Sequence, residues 1–151
     1  MKVILQTVNS ASVKILGKTV GAIERGFLLL VGFTSGDTKE TVDLMVDKIL
    51  NLRVFSDENN QINLSLKDVN GAILSISQFT LYANTLKGRR PSFSDALNPH
   101  AAQDLYEYFN RELEHRNDKV SSGLFGADME VISSNDGPFT LVLDSKELWP
   151  E

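Results

Sequence analysis

Apolar and polar positions change places every second residue through the first third of the chain. Val3 to Val8, Ser12 to Leu16, Thr19 to Glu24 and Phe27 to Phe33 are short runs rich in strand-forming residues, divided by Asn9-Ser10, Gly17-Lys18 and Arg25-Gly26. That period predicts strands of an antiparallel sheet, with Gly17-Lys18 as a two-residue hairpin. The rhythm then lengthens: Val42, Met45, Val46 and Ile49 recur at three- and four-residue steps, the buried stripe of an amphipathic helix. Asp37 and Glu40 stand ahead of it at the spacing of a capping box.

Alternation returns with Val54-Phe55, a polar turn from Ser56 to Gln61, and then Ile62, Leu64 and Leu66. Ala72 to Phe79 reads as a strand that is apolar until it meets Ser77-Gln78-Phe79-Thr80. Asn98 followed by Pro99 marks a second helix, because a side-chain cap and a residue without an amide both suit a helix start. Ala102, Leu105, Tyr106, Phe109 and Leu113 form its inner face, and Glu112 stands four residues before Arg116 on the outer one. Met129 to Ser133 and Phe139 to Leu143 are the last two strands. Between them lies SNDGPFT, Ser134 to Thr140, whose Asn-Asp-Gly is turn chemistry. A plain hairpin is the simplest reading, although Pro138 removes an amide where a returning strand would begin its ladder. With no repeat or linker, the pattern predicts a single α+β domain over residues 1–151, a mainly antiparallel sheet with two main helices.

Composition narrows the function. A chain of 151 residues buries about 68–70% of its unfolded surface around a single core. It contains no cysteine, which rules out disulfides, thiolate metal sites and a cysteine nucleophile. The apolar run Gly26 to Phe33 is far short of the about 20 residues a membrane span needs, so a soluble, cytoplasmic protein with no membrane partner is expected. The net charge of −5 argues against coating a nucleic-acid duplex, while leaving room for a basic loop that holds one end of an RNA. Both histidines, His100 and His115, fall on the second helix at neither zinc nor triad spacing. The acidic residues form no magnesium-binding cluster, and Gly17-Lys18-Thr19 lacks the upstream glycine of a phosphate loop. No metal and no cofactor is expected.

What remains is Ser77-Gln78-Phe79-Thr80-Leu81, the basic loop Lys87 to Phe93, the segment Gly123 to Met129, and the Asn-Asp-Gly-Pro motif. Together with Met1 to Gln6, Ala11-Ser12-Val13, Phe55-Ser56-Asp57 and Arg90-Pro91-Ser92-Phe93, they make the chain similar to the D-aminoacyl-tRNA deacylases over essentially its whole length. Ser77 to Leu81 and Asn135 to Thr140 are the most specific elements of that likeness.

The resemblance implies a barrel-like deacylase fold in a homodimer, acting on the ester between a D-amino acid and the terminal adenosine of tRNA. It implies that the Gly137-Pro138 bond is cis and that this pair reaches into the partner subunit's site, excluding L side chains by collision while admitting D ones. Glycyl-tRNA, including glycine mischarged on tRNA-Ala, has nothing to collide and is an expected secondary substrate. Carried over in the same way, the amides of Phe79 and Thr80 stabilise the oxyanion, and Ser77 and Gln78 shape that strand end. Phe125 and Met129 take the adenosine, a role for which core packing is the rival. Lys87, Arg89 and Arg90 are the expected phosphate contacts. Thr80 lacks a base to activate it as a nucleophile, so a positioning role is expected. One position departs from the pattern: members commonly carry an arginine after the first strand's Gln, where it braces the Gly-Pro loop, and here Thr7 stands instead. Two other functions remain open, a nucleic-acid-binding module without chemistry and a general esterase of small acyl esters.

Overall fold

A computed structural model describes residues 1–151. Its spine is one long strand, β1 (Lys2–Ile15), which pairs antiparallel with β2 (Lys18–Ile23), β3 (Gly26–Gly32) and β8 (Glu130–Asp144). β8 occupies one edge of β1 from Lys2 to Lys14, so β2 and β3 follow each other along the other edge. The polar pair Asn9-Ser10 therefore does not end a strand. It sits where the β1–β8 register shifts between Val8 and Ser10, a bulge that changes which residues face inward. Val8 on one side of it and Ala11 and Val13 on the other consequently share one core despite their odd spacing. The β1–β2 turn is Leu16-Gly17, one residue earlier than expected, and both residues have the positive φ that such a tight turn requires.

The sheet is mixed rather than mainly antiparallel. β6 (Ala72–Ser77) runs parallel to β3, and β7 (Val120–Ser122) runs parallel to β6. Parallel neighbours need long crossovers. The first crossover carries helix α1 (Lys39–Asn51) and the hairpin β4 (Arg53–Ser56) with β5 (Ile62–Ser65), and the second carries helix α2 (Pro99–Arg116). A short third helix, α3 (Ser145–Leu148), follows β8. The sheet curls until β2 meets β7, and a Cβ on Gly21 would stand 3.3 Å from the Ser122 carbonyl oxygen. The result is nearly a barrel.

Two cores follow from this curl. Val8, Ala11, Val13, Leu28, Leu74 and Ile76 fill the inside of the sheet. Val3, Leu5, Phe27, Leu29, Val31 and Ile73 point the other way, onto Val42, Met45, Val46 and Ile49 of α1 and Ala102, Tyr106, Phe109 and Leu113 of α2. Both helical stripes are as the spacing predicts, and Asn98 caps α2 by accepting from Ala101 N at 3.0 Å. The cap of α1 differs: Thr38, with Thr41, forms the reciprocal box. Asp37 instead accepts from Thr34 N (2.8 Å) and pairs with the Met1 ammonium (2.6 Å). Arg116 turns away from its helix neighbour Glu112 and pairs with Asp47 of α1 at 2.9 Å. Trp149 packs on the larger core. No helix is long and apolar enough to cross a membrane.

Candidate active site

β6 lies between two parallel neighbours and brings its C-terminal end to the rim of the sheet. Gln78 N donates to Val31 O at 2.7 Å, after which the chain leaves the ladder and tightens into a single 3-10 turn, Phe79–Tyr82. Phe79 therefore opens a turn and does not extend the strand. The first internal bond runs from Leu81 N to Gln78 O (3.2 Å), so the amides of Phe79 and Thr80 stand ahead of it as leading donors without intrahelical acceptors. The Gln78 side-chain amide donates to the Thr80 hydroxyl at 2.5 Å, which orients that hydroxyl.

Beside this turn opens a cleft of about 570 Å³. Ser77, Gln78 and Phe79 form one wall, Phe125 and Met129 another, and the start of α2 at Asn98-Pro99 a third. Phe79 is half exposed and meets Phe93 edge to face, with ring centroids 5.1 Å apart. Phe125 lies over Tyr106 at 6.0 Å, and the Tyr106 hydroxyl donates to Ser75 O at 2.8 Å. Burial pushes the Tyr106 pKa up, so the phenol remains a neutral donor under the cleft floor. Met129 is admitted by Gly123, where a Cβ would stand 2.5 Å from the Met129 sulfur. The cleft is thus largely apolar and aromatic, with the 3-10 turn that begins at Phe79 at one lip.

Five of the residues singled out in the sequence, Ser77, Gln78, Phe79, Phe125 and Met129, line one cleft. Thr80 sits next to them on the turn, outside the lining. Lys87, Arg89 and Arg90 are exposed on the loop that leads from the turn toward α2, and none lines the cleft wall. Phe93 and Asn98-Pro99 line it without having been assigned to it. Their only sequence signals were the Arg90-to-Phe93 likeness and the helix start.

Gly137 and Pro138 lie elsewhere. The strand pairing keeps its direction through the motif: Gln6 pairs with Thr140, and Val8 pairs with Asn135. Ser134 to Thr140 is therefore no hairpin, because Asp136 to Phe139 bulge out of a continuous β8 opposite Thr7 alone. The peptide bond Gly137-Pro138 is cis, and both residues are exposed. Gly137 has φ +132°, a conformation L side chains rarely adopt, and a Cβ there would stand 2.9 Å from Phe139 N. Phe139 N donates to Asn135 Oδ1 at 3.1 Å, closing the base of the bulge.

The sequence profile of the D-Tyr-tRNA(Tyr) deacylase family matches residues 4–144. The chain belongs to this family. Among its relatives, a D-aminoacyl-tRNA deacylase of Lactobacillus acidophilus is 57% identical over 95% of this chain and 99% of that protein. One from Thermosipho africanus is 50% identical over 99% of this chain and 100% of its own length. Among solved structures, the c-Myc DNA Unwinding Element Binding Protein superposes with a TM-score of 0.90 at 41% identity, covering 95% of this chain and 98% of that one. The chain thus spans nearly the whole length of these deacylases and shares the fold of this solved structure.

Proposed function

We propose that the protein hydrolyses the ester of D-aminoacyl-tRNA, releasing the D-amino acid and free tRNA, as the names of its relatives describe for them. The observation that carries this reading is the pairing of the leading amides at Phe79 and Thr80, which have no intrahelical acceptors, with an aromatic cleft beside their turn. The terminal adenine stacks on Phe125 beside Met129, which sets the ester carbonyl at the 3-10 turn. Water adds to the carbonyl carbon, and the amides of Phe79 and Thr80 hold the developing oxyanion. A well-placed donor of this kind lowers the barrier by about 3–4 kcal/mol. The carbon–oxygen bond to the ribose then breaks, the ribose oxygen takes one proton of the attacking water, the new carboxyl gives the other to solvent, and the amino acid leaves as its carboxylate.

Thr80 acts by position. Its hydroxyl is oriented by Gln78, and no histidine or carboxylate stands among its hydrogen-bond partners. Gly137 and Pro138 enter the cleft of a second protomer in a homodimer. Their exposure, and their absence from the cleft of their own chain, support this arrangement. Main-chain carbonyls there accept from the substrate ammonium and leave no room for an L side chain, so selection is by exclusion. Glycyl-tRNA passes the same filter. Lys87, Arg89 and Arg90 attract the phosphates of the acceptor end.

The name of the DNA Unwinding Element Binding Protein favours a second reading, a DNA-binding module without chemistry. The net charge of −5 weighs against it. Three substrates separate the alternatives: D-tyrosyl-tRNA, the methyl ester of D-tyrosine, and duplex DNA in a binding assay. Rapid cleavage of the tRNA ester with slow cleavage of the methyl ester is expected. Equal cleavage of both esters points to a general esterase, and tight DNA binding without either cleavage points to the binding module.

A further inference from the structure

The Thr7 hydroxyl donates to the carbonyl oxygen of Asp136 at 2.8 Å. Thr7 is 4% exposed, on the central strand β1, and it faces the one place where β8 departs from the ladder. Four residues of β8, Asp136 to Phe139, stand opposite this single residue, so regular strand pairing does not tie them down. The base of the bulge is closed by Asn135 Oδ1 accepting from Phe139 N, and by Thr140 Oγ1 accepting from Gln6 Nε2 at 3.3 Å. These contacts hold the two ends where the bulge rejoins the strand. Thr7 alone reaches the rising limb, one residue before Gly137.

We infer that Thr7 is a positioning residue: its hydroxyl fixes the direction in which Gly137-Pro138 project from β8. Without it, the Asp136 carbonyl loses its partner in a partly buried setting where water substitutes poorly. The peptide plane between Asp136 and Gly137 is then free to turn, and the carbonyls that follow it turn with it. Thr7 touches no substrate. It acts through Asp136 on the pair that sorts enantiomers, and this inference rests on the deacylase reading for its functional consequence.

The test compares Thr7→Val, which keeps shape and removes the hydroxyl, with Thr7→Ser, which keeps the hydroxyl and removes a methyl. Amide exchange over Ser134 to Thr140 should quicken in Thr7→Val, stay near wild type in Thr7→Ser, and be unchanged in α1 and α2. Single-turnover hydrolysis of D-tyrosyl-tRNA should fall about five- to tenfold in Thr7→Val, the worth of one lost hydrogen bond, and be restored in Thr7→Ser. The ratio of L-tyrosyl- to D-tyrosyl-tRNA rates should rise in Thr7→Val, since carbonyls that have turned no longer exclude an L side chain. Unchanged exchange in Thr7→Val, or equal impairment of the two variants, overturns the inference by showing that the hydroxyl holds nothing. A wild-type protein that fails to cleave D-tyrosyl-tRNA overturns the deacylase reading instead, while exchange still decides the brace.

Discussion

Gly32 of β3 lies so close to Gln78 that a Cβ on it would stand 2.8 Å from the Gln78 carbonyl oxygen and 3.2 Å from the Leu81 Cβ. Both neighbours belong to the turn that presents the Phe79 and Thr80 amides, so the approach of these two strand ends sets the donor geometry. Gly32→Ala must push the turn outward, because main-chain atoms yield less than a flexible side-chain tip. Single-turnover hydrolysis of D-aminoacyl-tRNA should fall by about 10²-fold, the scale of losing an oxyanion donor, with little change in KM. A variant that keeps the wild-type rate places the oxyanion donors elsewhere.

Phe125 bridges the core and the cleft, since its ring rests on Tyr106 on one side and lines the cleft on the other. Phe125→Leu keeps apolar volume and removes the flat face. Loss of base stacking is worth about 1–3 kcal/mol, so KM for aminoacyl-tRNA should rise by roughly ten- to a hundredfold with kcat nearly constant. A drop in kcat at constant KM would instead mark Phe125 as a prop for the turn.

The cations of the 83–98 loop should act on affinity and leave selectivity alone. Lys87→Ala, Arg89→Ala and Arg90→Ala each should reduce the slope of log affinity against log salt by about 0.7–0.9, the share of one phosphate contact. The ratio of D to L hydrolysis should not move. A substitution that leaves the slope unchanged removes that side chain from the RNA interface.

All three tyrosines are held neutral above their ordinary range. Tyr108 is pushed up to about 12, first by its hydrogen bond to Asp43 at 2.6 Å and then by burial. Burial raises Tyr82 and Tyr106. A folded pKa above the unfolded value of 10.0 means that the stabilisation is whole below pH 10 and is lost as pH rises toward 12. Tyrosinate absorbance should therefore lag behind that of free tyrosine and appear together with unfolding. Full titration near pH 10 with the fold intact contradicts these environments.

Periodicity made the helices legible because a buried stripe and a cap are local facts, as at Val42 to Ile49 and Asn98-Pro99. Direction of pairing is not local: the near-continuous apolar run from Ala72 to Ile76 marks a strand buried on both faces, yet it does not say that both neighbours of β6 run parallel to it. Polar punctuation also misled twice. Asn9-Ser10 and Asn135 to Pro138 carry turn residues, yet each is a bulge in a strand that keeps going. Three-residue β7 is too short to show any period. At the site, Phe125 and Met129 are far in sequence from Ser77 to Phe79, and only the family likeness joined them before the curled sheet was seen. The likeness left Thr7 without a role, and its hydrogen bond to Asp136 is visible only in three dimensions.

The central claim is that an exposed Gly137-Pro138 bulge, lent to a neighbouring protomer, sorts mirror-image esters by exclusion. Matched D- and L-tyrosyl-tRNA, deacylated by the wild type and by Gly137→Ala, test it most directly. The wild type should cleave the D ester and leave the L ester intact, and Gly137→Ala should lose D activity, because φ +132° strains any side chain at that position. Hydrolysis of both enantiomers at similar rates, or a Gly137→Ala protein indistinguishable from wild type, contradicts the account.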